Sequence, residues 1–274
     1  ASHGGGYNGK VIGSIWEHFV AERFIKAYAA LCPLMDDATR EFIKEHIVRE
    51  CFRAVKEGSI LGNFGMQQKV AAYVAVALNS EEEEAEIFEW LSKTSEKEYP
   101  LYTDPIYGTE VELRQNNTGG ELATKYVNDV DRDGFGYEVG ITYNKIWLQS
   151  SVEIAEILKC CKSNKLNLYQ NPKFLKMFHS FIKETVASGT SLAIGDSGSP
   201  VATLYPIAYE MLRGYYVLRD PRLAQYYYFY VGGDLSNTYL DIFTDTSELV
   251  ANLKKDIETY GELHLESENL TGFG

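Results

Sequence analysis

The sequence predicts an all-α domain of paired helices, closed or partly closed into an (α/α) toroid or strung into a solenoid. Apolar residues recur at helical spacing in one segment after another, the connections between most segments are short, and strand-like alternation is scarce. No repeat of fixed period decides between toroid and solenoid. About nine or ten helices fit the chain, and its 274 residues can bury a large core in one domain.

The first helix is expected from Ser14 to about Leu31, with Ile15, Phe19, Val20, Phe24, Ala27, Tyr28 and Leu31 at helical spacing and Ser14 placed to cap. A second runs from about Asp36 to Lys56 through Phe42, Ile43, Ile47, Cys51, Phe52 and Val55. A third, Asn63 to Leu78, is apolar almost all round, the mark of a central helix. The run Glu81 to Glu84 opens a helix to Leu91. Its carboxylates suit the positive end of the helix dipole and read as a solvated face, not a metal site. From about Glu96 to Asp133, Pro100, Pro105, Gly108 and the Gly119-Gly120 pair predict loops with at most short helical or extended pieces. Helical spacing returns from Tyr143 to Cys161, Pro172 to Ala187, Val201 to Leu218, Pro221 to Tyr230 and Ser247 to Thr259.

A net charge of -13, with no stripe of Lys and Arg interleaved with aromatics, argues against nucleic acid as a partner. It also repels acidic polysaccharides at long range, so a site for one needs a local cleft rich in donors. The cysteines are Cys32, Cys51, Cys160 and Cys161. Two are adjacent, a poor geometry for a disulfide framework, and most are expected as buried thiols. No run approaches the roughly 18 apolar residues that span a bilayer, so no membrane partner is expected. Ala1 to Gly9 reads as a Gly-rich loop.

Asp129, Asp131 and Asp133 followed by Gly134 have the opening spacing of an EF-hand calcium loop. Position 12, which needs a bidentate carboxylate, is Gly140, and Glu138 falls two places early. With no His or Cys set at zinc spacing either, neither metal nor cofactor is expected, and the run reads as a polar turn before a helix. The hexapeptide Gly195-Asp196-Ser197-Gly198-Ser199-Pro200 resembles the nucleophile loop of chymotrypsin-like serine proteases. That chemistry needs a His base and an Asp orienter on β-barrels, whereas His18 and His46 fall on predicted helices. A Gly/Ser/Pro turn with Ser199 and Pro200 opening a helix accounts for the same residues.

A third constellation joins Gly62-Asn63-Phe64-Gly65-Met66-Gln67 to Asp133-Gly134-Phe135-Gly136-Tyr137-Glu138-Val139-Gly140-Ile141-Thr142-Tyr143, about eighty residues on. An Asn before an Ala-rich helix, then Asp-Gly-Phe, a Glu, and a Tyr five residues after it, resembles the heparinase II/III-like polysaccharide lyases. Trp16-Glu17, Ile194-Gly195-Asp196 and Glu268 to Gly274 fall in that family's order as well. Phe64 stands where alginate-cleaving relatives often have His, and Gly140 where many members have Ser. The residues alone also permit a plain reading, with Asn63 a helix cap and Tyr143 a core aromatic.

The resemblance implies a toroid-like helical domain over residues 1–265 and, at 266–274, the lead-in to a C-terminal β-sandwich of the same parent chain. It implies β-elimination on a uronic-acid-containing acidic polysaccharide: the C5 proton leaves, the O4 bond breaks, and no water is consumed. Asn63 matches the family's neutraliser of the charge that grows on the uronate, a task an amide performs without losing a proton. Tyr143 matches the acid, the base or both. In many members a His from the sandwich completes the site. Trp16, Gln67, Tyr137 and Glu138 are candidate sugar contacts, since aromatic faces and planar polar groups suit sugar rings and hydroxyls. Two further readings stand beside this one: a carbohydrate-binding or scaffold module without catalysis, and the serine protease.

Overall fold

A computed structural model describes residues 6–7, 10–11, 17–60, 62–98, 101–103, 110–112, 116–138, 140–161, 166–185, 189–191 and 207–272. Trp16, the Gly195 to Pro200 hexapeptide, Ile194-Gly195-Asp196, the start of the helix expected at Val201, and the last two residues lie outside them. The described chain is mostly helical, as expected, with its few strands in two-stranded ribbons. It forms two compact units, one of residues Ala1–Lys125 with Glu153–Asn167, the other of Tyr126–Val152 with Leu168–Gly274.

In the first unit, α1 (Glu17–Leu31), α3 (Arg49–Lys56) and α5 (Glu81–Ser92) each pack against α4 (Met66–Leu78). The small side chains of Ala71, Ala72 and Ala75, interleaved with Val70 and Val74 and all fully buried, let three helices approach at once. α4 is therefore the central helix that its all-round apolarity predicts. Lys69, its one buried cation, is matched by Glu22 at 2.9 Å and Glu153 at 3.3 Å. Burial pushes the Glu22 carboxyl up, but hydrogen bonds from Lys26 and Lys69 outweigh it and hold the group below its ordinary range.

The helix expected at 36–56 is continuous but not uniform. Asp36 caps α2 (Asp37–Ile43) by accepting from the Thr39 amide at 2.8 Å. A π turn, Lys44–Val48, then joins it to α3. The wider turn re-phases the apolar stripe: Phe42 before it is exposed, whereas Val48, Phe52 and Val55 after its start are buried. Ser80 caps α5, whose Glu83 is gripped by Arg49 at 2.6 Å.

After α5, β1 (Lys97–Glu98) pairs with β4 (Asn116–Asn117), and β2 (Leu101–Thr103) with β3 (Glu110–Glu112), all antiparallel. The Gly119-Gly120 pair is required by close approach: a Cβ at Gly119 would lie 2.3 Å from the Lys93 carbonyl oxygen, and one at Gly120 would lie 2.8 Å from Leu91 Cα. α6 (Leu122–Asp129) and α7 (Ile141–Cys160) follow.

The second unit has its core among α8 (Pro172–Lys183), α9 (Ala208–Leu218) and α10 (Pro221–Tyr230), where Phe174, Phe178, Met211, Tyr215, Leu223 and Tyr226 are buried. Asn171 and Asp220 cap α8 and α10, each followed by a proline whose missing N–H costs nothing at that position. α11 (Ser247–Tyr260) packs on α10.

Candidate active site

The second unit holds three of the expected site residues: Tyr137 and Glu138 on a fastened turn between α6 and α7, and Tyr143 on the first turn of α7. The start of the fastened turn is organised by Asp131, whose Oδ1 accepts from the amides of Asp133, Gly134 and Phe135 at 2.8, 2.8 and 2.9 Å. Asp133 accepts from the Gly272 amide at 2.7 Å and faces Lys183, and these contacts hold its carboxyl below the ordinary range. Two carboxylates of the EF-hand-like run are thus engaged by protein donors, the behaviour of a polar turn. Lys183 also reaches Glu268, and Arg132 bonds Thr271. Lys173 and Lys176 donate to the carbonyls of Val130 and Arg132 at 2.5 and 2.9 Å. Gly134, at φ +101°, brings the turn so close to α8 that a Cβ would lie 2.2 Å from the Lys176 carbonyl oxygen.

The next residues rest on Trp147. Gly136 passes so near that an added Cβ would stand 2.9 Å from the indole, so glycine is what allows the backbone to lie on the ring. The Trp147 Nε1 donates to Glu138 Oε2 at 2.6 Å, and the Tyr137 ring meets the indole edge-on at 5.5 Å. Trp147 is fully buried while Tyr137 is 60% exposed. Asn144 completes the fastening, accepting from the Gly136 amide at 2.6 Å and donating to the Glu138 and Gly140 carbonyls, both at 3.2 Å. Tyr143 is half-buried on the first turn of α7, which begins at Ile141 because the Gly140 carbonyl accepts from the amides of Tyr143 and Asn144, each at 3.0 Å.

The arrangement is an exposed aromatic ring with a fixed carboxylate beside it and a phenol one turn along. Neither Trp147 nor Asn144 was singled out from sequence. The signal was present, because Trp147 lies four residues after Tyr143 and so shares its helix face. Replacing Trp147 by Phe is expected to cost about 2–4 kcal/mol, through the lost bond to Glu138 and the space the smaller ring leaves in the core, read by urea unfolding. A loss below about 0.5 kcal/mol would show that this bond contributes little.

Asn63 and Gln67 belong to the first unit. Asn63 is half-buried in the turn before α4, where its carbonyl accepts from the Met66 amide at 3.1 Å. It is not the helix cap: that position is Gly65, at φ 93°, whose amide donates to Gln68 Oε1 at 2.9 Å. The left-handed conformation favours glycine there, so α4 starts three residues later than the expected Asn63. Gln67 is half-buried on its first turn, and Trp16 lies outside the described residues.

Two groups outside the expected set carry titratable chemistry. Glu184, the C-cap of α8, is 1% exposed with Oε2 unbonded, and burial pushes its carboxyl up to about 8. His179 meets Asp220 at 2.8 Å, which holds the Asp220 carboxyl below its ordinary range. Asp220 also caps α10, a structural use of the same carboxylate. Ser197, the nucleophile of the protease-like hexapeptide, lies outside the described residues. No protein-family model, curated protein or solved structure matches this chain.

Proposed function

We propose that the chain is the (α/α) toroid-like helical part of a polysaccharide lyase that cleaves a uronic-acid-containing acidic polysaccharide by β-elimination. The observation that carries this reading is the exposed Tyr137 ring on buried Trp147, with Glu138 fixed beside it, within the run from Asp133 to Tyr143 that resembles the lyases. Aromatic faces suit the C–H faces of sugar rings, a carboxylate accepts from their hydroxyls, and side chains held by buried partners are the ones that position a substrate.

In this reading the Tyr143 phenol donates to the leaving O4 while the His of the β-sandwich accepts the C5 proton, or Tyr143 as a phenolate accepts the C5 proton itself and returns it to O4 as the C4–O4 bond breaks. Asn63 donates its amide to the uronate carboxylate as negative charge grows. Gln67 and Trp16 are further sugar contacts, and a C-terminal β-sandwich of the parent chain is the structural partner. A second reading, a carbohydrate-binding module without catalysis, is favoured by the same aromatic platform, because stacking needs no reacting group.

The test is to incubate the protein, alone and joined to the remainder of its parent chain, with heparan sulfate, chondroitin sulfate, hyaluronan and alginate, following the ultraviolet absorbance of unsaturated uronate. Product from at least one polymer is expected. Retention on an immobilised polymer with no product from any would replace the lyase by the binding module. Absence of both would remove the carbohydrate reading altogether.

A further inference from the structure

Within the first unit, α1 and α3 each rest on α4, and between them a cavity of about 740 Å³ is open. Its walls are helical stripes. On α1 they are Val20, Ala21 and Phe24, and on the opposite side Ile47, Cys51 and Ala54. The second stripe runs from His46 to Glu57, about 17 Å along the helix axis, or roughly three turns. The π turn helps to build it, because His46 and Ile47, both in that turn, line the cavity. Val20 is 65% exposed and Phe24 37%, although Ala21, Ile25 and Tyr28 on the same helix are buried.

The rim is acidic on balance. Its lining carries three carboxylates, Glu17, Glu50 and Glu57, against one guanidinium, Arg53, which bonds both Glu50 and Glu57, so its charge is already matched within the rim. An apolar trough between two helices, about two turns long on the α1 wall and three on the other, has the shape that accepts a third helix at the usual 8–10 Å interaxial distance. The acidic rim selects an occupant with cations flanking its apolar face.

We propose that the α1–α3 groove seats a basic amphipathic helix of a partner protein. The proposal is independent of the carbohydrate reading.

The probe is a synthetic, fluorophore-labelled helix of about four turns, with Leu along one face and Lys at its flanks, titrated with the full chain and followed by anisotropy. A second peptide keeps the Leu face and carries Glu at the flanks. Binding of the Lys peptide in the micromolar range is expected, weakened at least about tenfold by Val20→Glu with Phe24→Glu, by raised salt, and by exchange for the Glu peptide. Glu17→Lys, at a position outside the core, supplies a second variant and is expected to weaken the Lys peptide alone. Circular dichroism verifies that each variant is folded. Equal binding of both peptides, no binding of the Lys peptide, or no effect of the α1 variants would overturn the proposal. Sedimentation showing a dimer that Val20→Glu dissolves would overturn it in favour of a second copy of this chain.

Discussion

On the lyase reading proposed above, Tyr143→Phe is expected to lower the elimination rate by about 10²–10⁴-fold, the usual contribution of a positioned acid or base. Only a hydroxyl is removed, and the backbone of Tyr143 is held by Gly140 whatever the side chain. The melting temperature should therefore stay close to that of the parent. The measurement is the initial rate of unsaturated-uronate appearance, with circular dichroism melting as the check on folding. A rate within about twofold of the parent would remove Tyr143 as acid or base, since even the weak end of that range is two orders of magnitude. A variant that has lost both rate and fold would instead place the phenol in the packing of α7.

Glu184→Gln is expected to change how stability depends on pH. Burial raises the Glu184 carboxyl from an ordinary 4.5 to about 8, and its place at the end of α8 sets it against the negative pole of the helix dipole. A folded value above the unfolded one means that the folded chain binds the extra proton. The associated stability is fully present below pH 4.5 and is lost as the pH rises through about 8. At 1.36 kcal/mol per unit, the difference across that interval is on the order of 5 kcal/mol. Glutamine does not titrate, so the variant should lose this slope. It should gain on the parent toward about pH 8, while a buried amide still costs about 1–3 kcal/mol at every pH. Urea unfolding of both proteins from about pH 5 to about pH 8 gives the comparison, since every other titration is shared. Parallel curves would show that Glu184 is hydrated or paired in solution.

Most helices were legible because their apolar residues keep one period. α4 announces its central place through Ala and Val on every face, and the capping residues of α2, α5, α8 and α10 are the Asp, Ser, Asn and Asp that chain chemistry favours. The π turn was not legible, because one residue added to a helix leaves composition unchanged and shows only in which side chains become buried. The start of α4 was misplaced because Asn63 is a better cap by side chain than Gly65. The backbone decided it instead, through the left-handed φ of Gly65 and the reach of Gln68.

For the site, sequence supplied Tyr137, Glu138 and Tyr143 as neighbours. The support under them depends on contacts that no local pattern encodes, such as Gly136 lying on the Trp147 ring. Glu184 lies three residues after Phe181 on the buried face of α8, so a carboxylate on an apolar stripe was visible as an anomaly, but its missing partner was not.

The tie between Asp133 and Gly272 joins residues 139 apart in the chain. Contacts of such separation close late, because a long loop must lose its entropy before the bond returns anything. During synthesis the helices on either side of the Asp131 to Asn144 turn can form while the turn still lacks its outer fastening, since the Gly272 amide emerges long after them. The order of maturation is then helices first and the Asp131 to Asn144 turn last. A pulse of hydrogen exchange during refolding would detect it as slow protection of the Gly272 amide relative to those of α7.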